Sequence, residues 1–185
     1  MGACAALPRN PAPGVAEGAR AARTYSAALG VTLRSPELRA RTRALVAFER
    51  PDRMRLEIPG PAGARFVALA ADARLLAVFP AERAVFRSGA TAAEMERLLG
   101  VALTPAEMMD VLLGLPPKGL RSYEARWGAR LPAWIETTLA DGTRLRLEVH
   151  DAEADASLPA GAFVEPAHAG YRRVDAAEAR QLWSR

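Results

Sequence analysis

The sequence predicts an α+β fold in which an antiparallel β-sheet carries its helices on one face. Three observations predict this class. Apolar and polar residues alternate in several runs, turn motifs separate those runs, and two helix-capping motifs lie together near the middle of the chain. Half of the 185 residues are apolar, so a single domain can bury a substantial core.

The N-terminal residues 1–20 are expected to precede one domain that spans 21–185. The chain opens Met-Gly-Ala-Cys, and small residues directly before Cys4 are similar to a bacterial lipobox, in which the cysteine carries the lipid. The charged start and apolar run of such a signal do not precede it, so the signal is missing or truncated in this chain. A chance cysteine in an Ala-rich leader is the alternative. Pro8, Pro11 and Pro13 favour an extended tether, or a tail without function.

Several runs of the chain are patterned as strands with one apolar and one charged face. Successive strand side chains point to opposite faces, so this alternation is typical of an antiparallel sheet covered on one side. Turn motifs at Pro51-Asp52, within 59–63 and at Asp141-Gly142 predict a meander of consecutive hairpins. The alternating runs are 25–33, 44–48, 54–58 and 145–149, and further apolar runs lie at 66–71, 75–79, 84–87 and 134–139.

Two helices interrupt the predicted strands. Each begins with a Thr-x-x-Glu capping box, at Thr91 and at Thr104, and each continues with an apolar stripe of Met, Leu and Val at helical spacing. A third capping motif at Asp175 predicts a short C-terminal helix that ends near Trp183. The predicted order is a helix or tether, about six strands, two helices, then several more strands.

The charged residues argue against a nucleic-acid partner. Of the 25 basic residues all but Lys118 are arginine, which is typical of a GC-rich genome, and the 21 acidic residues are interspersed with them. Aromatic residues make up only 6% of the chain, so few side chains are available to stack on bases.

The sequence also predicts a protein that is not an enzyme and needs no cofactor or metal. A lone Cys4 excludes an internal disulfide framework and an all-cysteine metal site. His150 lies beside acidic residues at 151–155, but the spacing lacks the glycine and distal glutamate of a calcium loop, so a solvated acidic loop is expected. No serine lies in a nucleophile elbow, no glycine-rich phosphate loop precedes a helix, and we expect no catalytic residue.

Two segments resemble the LolB family of outer-membrane lipoprotein receptors. The first is the helical segment, Leu-Leu-Gly-Val-Ala-Leu at 98–103 followed by Val-Leu-Leu-Gly-Leu-Pro at 111–116. The second is the strand Arg-Met-Arg-Leu-Glu-Ile at 53–58, which leads into Pro-Gly-Pro-Ala-Gly at 59–63 and is similar to the LolB strand that enters a Gly-Pro-Leu-Gly loop. The resemblance covers roughly residues 22–150.

The resemblance implies a curved antiparallel sheet, or incomplete β-barrel, with helices as a lid over an apolar cavity. It implies a monomer that binds the acyl chains of lipoproteins or phospholipid, receives them from a LolA-like periplasmic carrier and assists their transfer to the outer membrane. The protein would face the periplasm, anchored through a lipid at Cys4. A structural or interaction lipoprotein of the same fold, and a soluble LolA-like carrier without a lipobox, are the alternatives.

The loop at Pro59, Gly60, Pro61, Ala62 and Gly63 is either a membrane-facing tip or a hairpin turn without function. The resemblance implies the first role, in which a protruding leucine helps lipids to enter the membrane. The matching position here is Ala62, and alanine gains far less on burial than leucine, which is worth about 1.5–3 kcal/mol. Ala62 is therefore expected to weaken membrane insertion by this loop, whereas binding in the cavity does not depend on it.

The candidate cavity residues are apolar side chains on the predicted inner face of the strands and helices. An ordinary dry core would produce the same pattern, and the sequence does not separate the two. Methionine suits a cavity because it adapts to ligands of different shape. The candidates are Val46, Phe48, Met54, Leu56, Ile58, Phe66, Met95, Leu99, Met108, Leu112, Leu145 and Leu147.

Overall fold

The computed structural model describes residues 7–61 and 63–184, so Cys4 and Ala62 lie outside the described residues. The α+β prediction is confirmed. The helices are α1 Val15–Ala21, α2 Ala92–Leu99, α3 Pro105–Leu112 and α4 Ala176–Ser184. The strands are β1 Thr24–Arg34, β2 Arg39–Glu49, β3 Arg53–Gly60, β4 Gly63–Ala71, β5 Arg74–Phe79, β6 Ala84–Gly89, β7 Ser122–Trp127, β8 Pro132–Thr138, β9 Arg144–Ala154 and β10 Arg172–Arg173.

All ten strands form one sheet, in the order β10-β6-β5-β4-β3-β2-β1-β9-β8-β7. Neighbouring strands are antiparallel except for β10, which runs parallel to β6, and the sheet does not close into a barrel. Consecutive hairpins join β1 to β6 and β7 to β9, as predicted. The two helices interrupt the meander, as predicted, and β9 then pairs with β1 rather than extending from β6, because α2 and α3 carry the chain back across the sheet.

The main core lies between one face of the sheet and the helices. The inward residues of the strands are the apolar members of the alternating runs, and residues from all four helices join them. Tyr25 and Phe48 stack within this core, with ring centroids 4.9 Å apart. The face of the sheet that packs against the helices is called the inner face below, and the opposite face the outer face.

The outer face is not bare throughout, which corrects the prediction of a sheet covered on one side only. On β4, β5 and β6 the outward residues are also buried, beneath the segment at 156–171. Arg55 of β3 helps to hold that segment, because its guanidinium donates to the carbonyl oxygen of Ala162 at 3.2 Å. These strands read as continuous apolar runs rather than alternating ones, as expected for strands buried on both faces. The second cluster comprises Leu69, Leu76, Val78 and Val85, covered by Phe163 and Tyr171.

The acidic residues expected in a loop at 151–155 belong instead to the end of a strand. β9 continues to Ala154, which lies opposite Tyr25 of β1, so that only Asp155 follows the strand. Asp151, Glu153 and Asp155 are exposed, as predicted, whereas the alanines between them are half-buried. The alternation of acid and alanine is therefore a strand pattern, and the prediction of a loop was wrong.

The N-terminal segment docks onto the domain. Residues 15–21 form α1, whose Ala19 is buried, and the alternative of a helix rather than a tether is the one observed there. Further upstream, the carbonyl oxygen of Pro8 accepts a hydrogen bond from the backbone N–H of Trp127 at 2.9 Å, and Arg9 pairs with Glu124 at 3.1 Å. The division of the chain at residue 20 stays a prediction. Among the described helices none is long and apolar enough to cross a membrane.

Gly114→Ala is expected to lower the free energy of unfolding by about 2–4 kcal/mol, through a steric clash and a strained backbone. Gly114 follows α3 with φ +79°, and an added Cβ would lie 2.5 Å from Cζ2 of Trp127. Urea unfolding of the full chain measures the change.

Gly161→Ala is the control, because no atom lies within 4 Å of its added Cβ. It should alter stability by less than about 0.5 kcal/mol. Equal effects of the two substitutions would contradict the packing of Trp127 against the end of α3.

Candidate functional site

An apolar cavity of about 60 Å³ lies between the inner face of the sheet and the helices. Strands β1, β2, β3 and β9 form one wall, α3 and the end of α2 form the other, and Trp183 of α4 lies at its side. Helices α2 and α3 with their linker at 100–104 are called the lid below. Thr42 supplies the one hydroxyl of a lining that is otherwise apolar, so the cavity favours hydrocarbon over any polar ligand.

Most of the predicted cavity residues lie around this space, and three do not. Phe48 stacks on Tyr25, and Phe66 packs against Phe79 with centroids 5.3 Å apart. Met95 is buried within the core at α2. Alternation identifies the inner face of a strand but not the position along it, so Phe48 and Phe66 fit the pattern without reaching the cavity. The apolar stripe of α2 leaves the position of Met95 along the helix open in the same way. The candidates that line the cavity are Val46, Met54, Leu56, Ile58, Leu99, Met108, Leu112, Leu145 and Leu147.

Sequence reasoning missed a second group of lining residues. The alternation in 25–33 already marked Leu29, Val31 and Leu33 as inward, so that pattern could have identified them. Trp183 carried no such pattern, because it comes from a helix far along the chain. The other missed residues are Ala40, Thr42, Ala44, Val101, Leu103 and Val111.

Both helices of the lid begin at the predicted capping motifs. The hydroxyl of Thr104 accepts from the N–H of Glu107 at 3.2 Å, and the Glu107 carboxylate accepts from the N–H of Thr104 at 2.8 Å. At the other motif the hydroxyl of Thr91 accepts from the N–H of Glu94 at 3.3 Å, and Glu94 turns to Arg97 instead of completing the box. The caps start each helix at a defined residue and so place the apolar stripes over the sheet.

Polar contacts from α4 hold α2 in place. The indole N–H of Trp183 donates to the carbonyl oxygen of Leu98 at 2.6 Å. The guanidinium of Arg180 donates to the carbonyl oxygen of Arg97 at 2.8 Å and pairs with Glu37 at 3.1 Å. These donors satisfy carbonyl groups that the end of a helix leaves without partners, so α4 fastens α2.

Contacts from β7 and from the residue that follows β2 hold α3 in place. Arg50 forms an ion pair with Asp110, and the hydroxyl of Tyr123 donates to the carbonyl oxygen of Val111 at 3.1 Å. The lid is thus restrained by a small set of polar contacts at each helix.

The cavity has a mouth where two neighbouring strands diverge. The β2–β3 ladder runs from Glu49 to Leu45 and ends there, although β2 begins at Arg39. The lining residues that solvent reaches mark the mouth: Val31, Ala40, Thr42, Leu56 and Met108.

The predicted loop at 59–63 comprises the end of β3 at Pro59 and Gly60, a tight connection, and the first residue of β4 at Gly63. Gly60 lies opposite Gly63 in the ladder, so the turn is short. Ala62 lies outside the described residues, and a role for this loop at a membrane stays a prediction. In the described part of the chain, His, Cys, Asp and Glu side chains nowhere gather in a group of three that could hold a metal ion.

Many solved structures superpose on this chain, and two of them illustrate the likeness. A DUF1329 family protein from Desulfovibrio piger superposes with a TM-score of 0.46 at 10% identity, over 88% of this chain and 100% of that one. A LolA superfamily protein from Nitrosomonas europaea superposes with a TM-score of 0.44 at 12% identity, over 84% of this chain and 98% of that one. Models of protein families give no match, and neither do curated protein sequences.

Tyr25 is buried and Tyr123 is half-buried, and the two differ in whether their hydroxyl groups are satisfied. Tyr123 donates to the carbonyl oxygen of Val111, whereas the hydroxyl of Tyr25 is buried without a hydrogen-bond partner among the described residues. Burial raises the pKa of both tyrosines above the ordinary value near 10. An unsatisfied buried hydroxyl is destabilising because it has lost its hydration without replacement.

Tyr25→Phe is therefore expected to raise the free energy of unfolding at neutral pH by about 1 kcal/mol, and Tyr123→Phe to lower it by a similar amount. Urea unfolding measures both. A loss of stability in Tyr25→Phe would show that its hydroxyl has a partner.

The same pair predicts the alkaline behaviour. A tyrosine whose pKa is raised in the folded state keeps its proton after the unfolded chain has lost it, so stability falls as pH rises above about 10. Tyr25→Phe should flatten that fall. Urea unfolding between about pH 9 and pH 11, on either side of the ordinary tyrosine pKa of about 10, measures how the free energy of unfolding changes with pH. The same slope in Tyr25→Phe and in the wild type would contradict the burial of this hydroxyl.

Proposed function

We propose that this protein is a LolB-like carrier of the bacterial envelope, which holds the acyl chains of lipoproteins or phospholipid in its cavity and assists their transfer to the outer membrane. The observation that carries the proposal is the cavity itself: an apolar space under two short helices that a few polar contacts restrain. The resemblance of residues 22–150 to the LolB family supports the choice of ligand.

Transfer of this kind needs no covalent chemistry. Each methylene group moved from water into an apolar site contributes about 0.8 kcal/mol, so an acyl chain moves towards the site that buries more of it. The protein lowers the barrier by shielding the chain during transfer. We therefore propose a carrier without catalytic residues or cofactor.

The lid must move before a whole acyl chain can enter. A volume of about 60 Å³ is well below the roughly 300–1,000 Å³ of ordinary ligand pockets. Gly100, at the end of α2, has φ +75° and begins the linker to α3, so the lid carries a flexible residue between its helices. Met108 at the mouth adapts to different chain shapes as the lid opens.

The proposed setting is the outer membrane, facing the periplasm, with a lipid anchor at Cys4. A LolA-like carrier would deliver the cargo to a monomer there. These points come from the residues around Cys4 and from the resemblance. Because Ala62 replaces a protruding leucine, delivery into the bilayer would depend less on this loop than in the family.

A second candidate function is a structural or interaction module of the same fold with a filled core. The small volume of the cavity favours it, since a space of about 60 Å³ also fits an imperfectly packed core. Lipid capture separates the two candidates.

The full chain, incubated with a diacylated lipopeptide or with phospholipid extract, is expected to form a one-to-one adduct in native mass spectrometry. Leu56→Glu and Leu112→Glu should each reduce the adduct by at least about tenfold, because a carboxylate in an apolar cavity is poorly solvated. Leu56 is half-exposed at the mouth, so this variant keeps its fold more readily than the Leu112 variant.

Val164→Glu is the matched control, since Val164 is 64% exposed and lies away from the cavity. It should capture lipid as the wild type does. A wild-type chain that stays free of lipid, under conditions where a known carrier retains it, would reject the carrier and favour the filled module.

Arg180→Gln is expected to speed lipid capture by about tenfold, because it removes charged hydrogen bonds from the end of α2 and makes lid opening easier. Arg172→Gln is the control, because Arg172 of β10 pairs with Glu178 of α4 and, among the described residues, forms no ion pair with α2. Stopped-flow fluorescence of an acyl probe measures both rates. Equal rates in the two variants would show that α2 stays in place during capture.

A further inference from the structure

Five exposed arginines lie side by side on the outer face of the sheet. In the register of the strands, Arg34 of β1 lies directly opposite Arg39 of β2 on one side and Arg144 of β9 on the other. Arg41 and Arg43 continue along β2 on the same face. We call Arg34, Arg39, Arg41, Arg43 and Arg144 the arginine patch.

The patch is uncompensated within the molecule. Elsewhere arginines pair with carboxylates, for example Arg87 with Glu165 at 3.0 Å and Arg172 with Glu178 at 2.6 Å. Within residues 7–61 and 63–184 no member of the patch forms an ion pair. The whole chain has a net charge of +4, so the patch alone exceeds the charge excess of the protein.

This arrangement is destabilising for the isolated protein. Like charges directly opposite each other in neighbouring strands repel, and here one arginine faces two others. A polyanion on this face would relieve the repulsion. Solubility alone does not require such a cluster, since interspersed charges of both signs serve it equally well.

The patch lies beside the mouth of the cavity. Along β2, Ala40 and Thr42 of the mouth alternate with arginines of the patch, so that one strand presents lining residues on one face and guanidinium groups on the other. Leu45, next on the outer face after Arg43, is 49% exposed, although leucine is normally buried. The outer face of β4–β6 is covered by the segment at 156–171, so the bare part of the sheet is the part that carries the patch.

We propose that the arginine patch docks the protein on a bilayer that contains anionic phospholipid. Strands lie about 4.8 Å apart, and alternate residues along a strand about 6.7 Å apart, so the guanidinium groups form a broad array suited to many phosphates rather than to one. Leu45 supplies an apolar side chain that enters the headgroup region. Docking in this position brings the mouth close to the bilayer.

Nucleic acid fits this face less well. Binding to single strands uses aromatic side chains as stacking platforms. The outer-face Trp134 on β8 is occupied, with the guanidinium groups of Arg126 and Arg146 at 5.2 and 5.4 Å from its ring. The docking depends on the charge of the outer face and not on the cavity, so it can be tested independently of lipid capture.

The test is sedimentation of the full chain with vesicles of phosphatidylcholine alone, or of phosphatidylcholine and phosphatidylglycerol in equal amounts. We expect binding to the anionic vesicles, and weaker binding as salt is added. The triple variant Arg39→Gln, Arg41→Gln and Arg43→Gln should bind on the order of 100-fold more weakly, at about tenfold per 1.4 kcal/mol and about 1 kcal/mol per arginine.

The control variant Arg74→Gln, Arg130→Gln and Arg173→Gln removes the same charge from exposed positions outside the patch and should bind within a few-fold of the wild type. Urea unfolding confirms that both variants fold. Leu56→Glu adds one negative charge at the mouth and should bind the vesicles within about tenfold of the wild type even if it captures no lipid, which separates docking from the proposed function. Three results would overturn the proposal. The two triple variants could lose vesicle binding equally, or the wild type could bind neutral vesicles as well as anionic ones. The wild type could also bind single- or double-stranded DNA as tightly as it binds anionic vesicles.

Discussion

The pairing of β9 with β1 is the interaction on which the rest of the structure depends. It joins the strands before the helices to the strands after them, and β1 thereby becomes the centre of one continuous inner face. Leu33 lies between Ala40 on one neighbour and Leu145 on the other, so the cavity wall exists only once this ladder has formed. The chain between the two halves then has to fold back over the sheet, which is where the lid lies.

Local patterns predicted the parts of the fold that local physics determines. Alternation identified the inward residues of β1, β2, β3 and β9, and the capping motifs at Thr91 and Thr104 located the helices. Long-range pairing was not predictable in the same way, because no local signal in Leu145 or Leu147 names β1 as the partner strand. The burial of the outer face of β4–β6 was indicated by the continuous apolar runs in those strands. A sheet with one solvent-exposed face would instead show alternating runs.

The sequence predicts which apolar residues face inward at the candidate site, but not that a cavity is left between them. Leu56 lines the cavity whereas Phe48 stacks on Tyr25 in the solid core, although both belong to alternating apolar runs of neighbouring strands. The cavity is completed by Trp183, whose side chain comes from the far end of the sequence. Volume is a property of the assembled packing, so a pattern of apolar residues does not contain it.

The early end of the β2–β3 ladder leaves a strand edge inside the sheet, and such an edge is a template for another chain. Backbone donors and acceptors of β2 at residues 39–44 continue past the last pair with β3, and a stretch of this kind attracts foreign strands. Long charged side chains at alternate positions discourage that addition, and here Arg39, Arg41 and Arg43 occupy those positions. Pro59 on β3 adds a residue without an N–H at the same gap. The gap beside the cavity is thereby protected against the addition of strands from other chains.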